Sequence, residues 1–329
     1  MLSLPDFKEK QIVFIQTERG ADNKILFWND NIRYLKDNQI INQTSCYKIL
    51  AVFIIGDLSI TTTLIKRCKE YGISIFLLNH NFDLYSSILS QAEGNYLLRM
   101  KQYFIKDELS LSKNIVKNKL LNQFILLDKI TDFEAINAEI DKAEDNQVLL
   151  GIEGNCAKNY YTVYFKDIIW CRRAPRTKED IPNFLLDIGY TFLFNFIDAL
   201  LLLFGFDTYK GFYHKLFFQR KSLTCDLMEP FRCLIDKQLL KSYHLNQINH
   251  KDFIYSDGKY QLKFNGDKLI RKKYVSIFFD AIFNRKEEIF TYMKGFYYYI
   301  AKSNPETVSR VNLGVNSVQE EKFPVFKIK

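Results

Sequence analysis

The chain has 329 residues, of which 47% are apolar and 26% charged, the balance of an ordinary soluble globular protein. This length predicts two domains, and it excludes dependence on disulfides or structural metals for a core. Lysine and arginine number 46 against 38 aspartates and glutamates, and the net charge of +8 favours a polyanionic partner.

The first ninety residues predict mainly β-strands. Short runs at 11–17, 24–29 and 47–56 are separated by Asp, Asn and Gly, and two further runs follow at 73–80 and 82–90. Between them, residues 59–72 carry apolar side chains at helical spacing and end in a glycine, which predicts one helix. We therefore expect a β-rich N-terminal domain over residues 1–92.

Helical patterns dominate after residue 97. Leu111, Ile115 and Leu120 recur at helical spacing, and glycine and proline are sparse. The run 183–206 is long enough to span a bilayer, but its two aspartates would be costly there, so we expect a buried core helix and no membrane partner. The chain is thus predicted to be α+β, with a larger all-α C-terminal domain over 97–303.

The N-terminal segment and the cysteine spacing bear on the expected location of the protein. The N-terminal residues form no apolar segment of a secretory signal, and the six cysteines form no C-x-x-C pair. We therefore expect reduced thiols and a cytoplasmic protein. Residues 304–329 are predicted to form a polar, loosely held C-terminal tail.

Three segments carry acids or a histidine beside apolar residues. Glu153 stands between two glycines before an apolar helical face, which predicts a helix N-terminus that favours an acid. His214 follows an aromatic run, where most histidines are satisfied core residues. Asp226 and Glu229 are three apart and precede Pro230, so Asp226 is predicted as an N-cap with Glu229 in the first helical turn. Each segment alone is compatible with a purely structural role.

Together these segments resemble a known family. The blocks are GIEGNCAKNYY, PNFLLDIGYTFLFNFIDALLLLFGFDTYKGFYHK and SLTCDLMEPFRCLID, and the resemblance extends over roughly residues 50–240. They are similar to the signature blocks of the CRISPR-associated integrase/endonuclease family of the prokaryotic adaptation (spacer acquisition) machinery. The resemblance implies a metal site of Glu153, His214 and Glu229, with Asp226 as a fourth catalytic residue. Carboxylate and imidazole ligands suit Mg²⁺ or Mn²⁺.

The resemblance also implies a reaction and its partners. In that family, a 3′-hydroxyl attacks a phosphodiester, and this step inserts short DNA fragments (spacers) into a CRISPR array. The implied partners are double-stranded DNA with single-stranded or frayed ends, CRISPR repeat DNA, a second copy of the chain bound through the β-rich domain, and a smaller adaptation protein. Two alternatives stay open: a general metal-dependent nuclease on branched or single-stranded DNA, and a non-catalytic DNA-binding scaffold.

DNA binding also requires contacts to phosphates. Two basic clusters near the candidate site are hypothesised to supply them, namely Arg172, Arg173 and Arg176 in the first and Lys215, Arg220, Lys221 and Arg232 in the second.

Overall fold

The computed structural model describes residues 10–18, 20–79, 84–90, 95–168, 170, 172–214, 218–263, 268–302 and 322–329. The chain divides into two compact units. The N-terminal unit comprises residues 1–104, 198–207 and 300–316, and the helical unit comprises residues 105–197, 208–299 and 317–329.

The N-terminal unit contains two four-stranded sheets. In the first sheet the order is β1-β5-β7-β8, with β8 antiparallel to β7 and the other pairs parallel. In the second it is β4-β3-β2-β6, with only the short β6 parallel to its neighbour. Every residue of β5 is buried. The strands are β1 (Gln11–Gln16), β2 (Asn23–Trp28), β3 (Asn31–Lys36), β4 (Gln39–Ser45), β5 (Ile49–Ile55), β6 (Ser59–Ile60), β7 (Ser74–Leu78) and β8 (Leu84–Ile88).

The hairpins β2-β3 and β3-β4 were not expected from the sequence, although their turns are visible in it. Asn29 and Asp30 adopt φ of 43° and 55°, and Asp37 and Asn38 adopt 49° and 64°. Asn and Asp tolerate this left-handed conformation better than other side chains, and two such residues in succession make the tight turn that suits a twisted hairpin. The polar dipeptides therefore specify the second sheet.

The helix predicted within residues 59–72 is present as α1 (Thr62–Glu70). The Thr61 side chain accepts a hydrogen bond from the Leu64 backbone N–H and so caps its first turn. Leu64 and Cys68 are buried on one face, as their spacing of four predicts. Another helix of this unit is α2 (Tyr96–Tyr103).

The helical unit is built around α3, which buries residues on several sides along its length. Val116 and Leu120 of α3 pack with Ile140 of α4 and Leu149 of α5 in one apolar cluster. The helices are α3 (Glu108–Leu126), α4 (Phe133–Lys142), α5 (Asn146–Tyr164), α6 (Ile181–Phe204), α7 (Ser222–Met228), α8 (Arg232–His244), α9 (Lys268–Phe283) and α10 (Lys286–Lys302).

Helix α6 corresponds to the apolar run 183–206. In the described part of the chain it is the one helix long and apolar enough to cross a membrane, judged by length and composition, and 72% of its most apolar window is buried. A single helix of this kind is weak evidence of a membrane span, because the core helix of a soluble protein passes the same test. The burial matches the expected core helix.

The α+β class, with a strand-rich N-terminal region before a larger helical region, is confirmed. One feature departs from an all-α second region: β9 (Phe253–Ser256) and β10 (Lys259–Leu262) form an antiparallel hairpin. Its turn is Asp257–Gly258, with φ of 51° and 75°, which the Asp-Gly dipeptide favours.

The expectation of a loosely held tail is wrong for its last residues. Phe326 and Ile328 are each only 4% exposed, because they pack into the helical unit. The polar composition of residues 304–329 led to the wrong expectation, because two apolar side chains are enough to dock so short a segment. Residues 304–321 lie outside the described residues.

Candidate active site

Two of the predicted acids meet at a single lysine. Lys119 of α3 places its Nζ 2.5 Å from Glu153 Oε1 on α5 and 2.6 Å from Glu229 Oε2, in the 3₁₀ turn Glu229–Phe231 between α7 and α8. The three side chains are nearly buried, at 11%, 13% and 3% exposure in that order. Two carboxylates, 76 residues apart in sequence (229 − 153 = 76), therefore contact the same ammonium group.

Glu229 is held as a carboxylate by its neighbours. Arg232 donates from Nε to Glu229 Oε1 over 2.9 Å. Burial alone would raise the pKa of Glu229, but the charges of Arg232 and Lys119 outweigh it and lower that pKa to about 2. The other oxygen, Glu229 Oε2, is buried and lies 2.6 Å from the Lys119 ammonium.

The Lys119 ammonium is likewise fixed in its charged form. Burial lowers the pKa of Lys119, yet the carboxylates of Glu229 and Glu153 more than reverse this and raise it above the ordinary value. A buried cation flanked by two anions is the arrangement that a desolvated ion cluster needs to persist.

Asp226 organises the segment that carries His214. Its Oδ2 accepts the backbone N–H groups of Phe212 at 2.6 Å and Tyr213 at 3.1 Å. Its Oδ1 accepts the His214 backbone N–H at 2.9 Å and lies 2.7 Å from His214 Nδ1. The fully buried carboxylate is thus satisfied by donors from one short loop and orients the imidazole.

Gly211 allows this loop to approach Asp226. A Cβ at residue 211 would lie 2.8 Å from Asp226 Oδ2 and 2.6 Å from the carbonyl carbon of Ser222, both closer than van der Waals contact. The glycine of the G-F-Y-H motif is therefore required by close packing on α7.

Tyr213, next to His214 in the chain, lies near the ion cluster. Burial raises the pKa of Tyr213, and the carboxylates of Glu153 and Glu229 raise it further. When Nδ1 donates to Asp226, the imidazole keeps its Nε2 lone pair for another group. Tyr213 Oη is buried with no hydrogen-bond partner in the described part of the chain. A buried hydroxyl without a hydrogen-bond partner, on Tyr213, thus lies near this cluster.

Behind the site, Arg232 rests on a buried tyrosine network. Its Cζ lies 4.6 Å from the ring centroid of Tyr190 on α6. Tyr190 donates to Asp236 Oδ1 at 2.5 Å, and Tyr160 donates to Asp236 Oδ2 at 3.0 Å. Burial raises the pKa of Asp236 to about 6, although the two tyrosine hydrogen bonds lower it in part.

Two local expectations about the acids are wrong. Helix α5 begins at Asn146, where Asp145 accepts the N–H groups of Gln147 and Val148, so Glu153 lies about two turns inside the helix and not at its N-terminus. Asp226 is not an N-cap but lies in the last turn of α7. In α5 the helix start is set locally by the cap at Asp145, whereas the Asp226 carboxylate is taken up by its contacts to residues 212–214.

The predicted DNA-binding cations fall into different environments. Arg173 is turned inward, donating to Asn183 Oδ1 at 2.8 Å and Asp187 Oδ1 at 2.7 Å, and Arg232 is engaged with Glu229. Arg172, Arg176 and Arg220 are exposed, and Lys221 is half-buried. Lys215 lies outside the described residues.

Lys119 was missed by the sequence reasoning. A signal existed, because residue 119 follows Ile115 by four and Val116 by three, and both are fully buried. A lysine on the apolar face of a helix demands a buried anion.

The described residues contain no group of three His, Cys, Asp or Glu side chains close enough to hold a metal ion. The donors are nonetheless those of such a site: two carboxylates converge on one cation, and His214 is held by a third carboxylate at Nδ1. The oxygen and nitrogen donors of these residues fit a divalent ion. Such an ion would take the position where the Lys119 ammonium now balances the charge of the carboxylates.

Comparison with known proteins decides the family. The family model described as CRISPR associated protein Cas1 matches residues 20–276. The chain belongs to the Cas1 family. A relative from Thermodesulfovibrio yellowstonii named CRISPR-associated endonuclease Cas1 1 is 29% identical over 253 residues, covering 69% of this chain and 78% of that protein. One from Thermus thermophilus, named CRISPR-associated endonuclease Cas1 3, is 26% identical over 234 residues, covering 67% and 70%. The family and enzyme class expected from the sequence are confirmed.

Solved structures show the same fold. A casposase bound to integration product has a TM-score of 0.70 at 18% identity, over 95% of this chain and 96% of that one. A Cas1 protein from Thermotoga maritima has a TM-score of 0.69 at 17% identity, over 88% and 97%. A partial Cas6-RT-Cas1–Cas2 complex has a TM-score of 0.69 at 20% identity, over 97% and 99%.

Proposed function

We propose that this Cas1 protein inserts short DNA fragments into a CRISPR array, and that Glu153, His214, Asp226 and Glu229 carry the reaction. One observation carries the assignment: Glu153 and Glu229, from separate segments of the chain, converge on one cation beside a carboxylate-oriented histidine. Strand joining at a phosphodiester needs positive charge at such a point, because negative charge develops on the phosphate oxygens.

Glu153, His214 and Glu229 would hold a Mg²⁺ or Mn²⁺ ion. Their oxygen and imidazole donors suit these ions, and the imidazole nitrogen inclines the set towards Mn²⁺. When bound, the ion neutralises charge on the phosphate and lowers the pKa of an attacking 3′-hydroxyl.

The surrounding residues prepare these ligands. Asp226 holds the His214 ring through Nδ1, which leaves Nε2 available as a donor to a metal ion. Arg232 holds Glu229 through Oε1, so that Oε2 keeps its direction. Because Glu229 and Asp226 are nearly or fully buried, water cannot compete for their oxygens, and their charge acts at full strength on whatever binds there.

The proposed substrates are double-stranded DNA with single-stranded or frayed ends and CRISPR repeat DNA. The proposed assembly contains a homodimer and a smaller adaptation protein, in a prokaryotic cytoplasm. Support comes from the names of the structural relatives, which include a casposase bound to integration product and complexes with Cas2. The net charge of +8 is consistent with a DNA partner.

A strand-transfer assay tests the proposal. A labelled duplex with frayed 3′ ends is incubated with repeat-bearing plasmid, with and without Mn²⁺. We expect joined product only with the metal, and a loss of at least about 100-fold in Glu153→Gln and His214→Ala. Unchanged joining in these variants would contradict the assigned residues.

The second candidate is a general nuclease on branched or single-stranded DNA, which the word endonuclease in the relatives' names favours. The two functions share the site and differ in product. Cleavage of branched DNA without joining, under conditions where metal is saturating, would select the nuclease. If the protein neither joins nor cleaves DNA, the result would select the non-catalytic DNA-binding scaffold.

A further inference from the structure

Residues 322–329 lie in an extended conformation with alternating burial. Phe326 and Ile328 are buried, whereas Val325 and Lys327 between them are exposed. This period of two is that of a strand with one face covered. The segment nevertheless lies along a helix, α3, and its backbone groups are met by side chains.

Two asparagines of α3 take the place of a neighbouring strand. Asn118 donates from Nδ2 to the Phe326 carbonyl at 2.6 Å and accepts the Phe326 N–H on Oδ1 at 2.9 Å. One helical turn later, Asn122 accepts the Ile328 N–H at 2.7 Å and donates to the Phe326 carbonyl at 3.1 Å. A carboxamide offers the same donor and acceptor as a peptide group, so this pair recognises extended backbone.

The Asn118 side chain bonds to Phe326 through both its nitrogen and its oxygen, and without the segment it would lose both of these hydrogen bonds. Asn122 Oδ1 would lose the Ile328 N–H, whereas Asn122 Nδ2 would keep the carbonyl of Pro230. Both asparagines are buried, at 2% and 0% exposure. A buried amide that loses its partners is strongly unfavourable, so the helix face is built for an extended peptide.

Apolar contacts complete a groove around the segment. Phe326 lies on the ring of Phe231, with centroids 4.7 Å apart. Phe323 meets the edges or faces of three rings on α10, and Pro324 lies against Gly295, where a Cβ would come within 3.0 Å of the proline Cβ. The glycine thus leaves room for the peptide.

The groove adjoins the candidate site on both sides. Asn122 also donates to the Pro230 carbonyl at 3.2 Å, and Pro230 and Phe231 belong to the turn that begins with Glu229. On α3, Asn118 immediately precedes Lys119. The docked segment therefore bridges the two elements that carry Lys119 and Glu229.

We propose that the groove formed by α3, the turn 229–231 and α10 is a peptide-binding site whose ligand is residues 322–329, and that its occupation holds Glu229 at Lys119 in the geometry needed for catalysis. The coupling to catalysis rests on the proposed function. The peptide site itself does not.

The test uses the full chain with a protease recognition sequence in place of residues 311–315. The protein therefore folds as one chain before the protease cuts it. After cleavage, gel filtration in mild denaturant removes the peptide, and the protein is returned to buffer. Fluorescence anisotropy then follows rebinding of the labelled peptide KFPVFKIK. We expect saturable binding, and binding more than tenfold weaker for a peptide with alanine at the positions of Phe326 and Ile328.

A variant of the groove provides the matched control. In cut Gly295→Leu protein, the leucine fills the space of Pro324, and we expect peptide binding to be weakened at least tenfold while near-ultraviolet circular dichroism stays native. A peptide that fails to rebind to natively folded protein would overturn the groove. Loss of the native spectrum on peptide removal would also overturn it, because the segment would then be part of the core.

Strand transfer tests the coupling separately. We expect the stripped protein to join DNA at least tenfold more slowly than the uncut protein, and added peptide to restore the rate with the same concentration dependence as binding. Full activity in the stripped protein would overturn the coupling. If the uncut protein itself joins no DNA, the proposed function fails, and the anisotropy measurement still decides whether the groove binds peptide.

Discussion

At the scale of single residues, Lys119 decides the electrostatics of the candidate site. Its ammonium lies between two carboxylates that would otherwise repel each other in a buried position. A divalent ion would have to displace this ammonium or share the carboxylate oxygens with it. The lysine is therefore both a stabilising group and a competitor for metal.

This view predicts the behaviour of Lys119→Met. We expect the free energy of unfolding to fall by about 3–5 kcal/mol without metal, because two buried carboxylates lose their counterion. Mn²⁺ should raise the melting temperature of the variant more than that of the wild type. Differential scanning fluorimetry with and without Mn²⁺ measures both. Lys117→Met is the control: Lys117 pairs at 2.5 Å with Asp141, which is 59% exposed, and its loss should cost less than about 1 kcal/mol. Equal metal responses in wild type and Lys119→Met would contradict the idea.

Asp236 predicts a pH dependence of stability. Its pKa of about 6 in the folded protein exceeds the ordinary 3.8, so between these values the native state binds more protons than the unfolded chain. The free energy of unfolding should therefore fall as pH rises from 4 to 7, by roughly 3 kcal/mol from this group. Asp236→Asn lacks the titration. Chemical denaturation of both proteins across this range should give curves that diverge with pH, and parallel curves would refute the assignment.

At the scale of elements, close packing of α6 depends on Gly189. A Cβ there would lie 2.4 Å from Ile235 Cγ2 on α8 and 3.0 Å from Phe278 on α9. The Cγ2 atom is attached directly to a β-branched carbon, so it has little freedom to move away. The distance of α6 from α8 and α9 therefore depends on the absence of a side chain at residue 189.

We expect Gly189→Ala to lower the free energy of unfolding by about 1–2 kcal/mol, since overpacking outweighs the improved helix propensity. Gly151→Ala on α5 is the matched control. Apart from its chain neighbours and the backbone of its own helix, no atom of the described chain lies within 4 Å of a Cβ at residue 151, so the propensity gain of up to about 1 kcal/mol should appear alone. Urea denaturation of the two variants should give shifts of opposite sign, and shifts of the same sign would count against the packing argument.

At the scale of the whole molecule, the net charge of +8 overstates the charge available to DNA. Some cations already neutralise internal acids, as Arg173 does with Asp187. Arg172 also pairs with an acid, Glu179 at 3.3 Å, but its side chain is 74% exposed and this pair lies at the surface. Only cations that can reach phosphate release counterions from the duplex.

Salt dependence of DNA affinity distinguishes the two kinds of cation. In a plot of log affinity against log salt, Arg172→Gln should reduce the slope by about 0.9. Arg173→Gln should leave the slope unchanged and instead lower the melting temperature, because Asp187 loses its buried partner. Fluorescence anisotropy with a frayed duplex at several salt concentrations measures the slope. A reduced slope for Arg173→Gln would show that this arginine reaches DNA.

Much of this protein was determined by its sequence. Strand and helix periods gave the two-part α+β order, because side-chain burial imposes those periods locally, and the motif residues Glu153, His214 and Glu229 were identifiable through family resemblance. Local patterns also contain the turns at residues 29–30 and 37–38, which the sequence reasoning overlooked.

Only the tertiary structure decided what the acids contact. Cap-like patterns at Glu153 and Asp226 suggested helix ends, but Asp226 instead gathers the donors of a loop that follows Gly211. The partner of Glu153 and Glu229 proved to be Lys119, and Asn118 and Asn122 bind a segment about two hundred residues away along the chain. Such pairings depend on which surfaces meet after folding, and sequence spacing holds no record of distances between segments that are far apart along the chain.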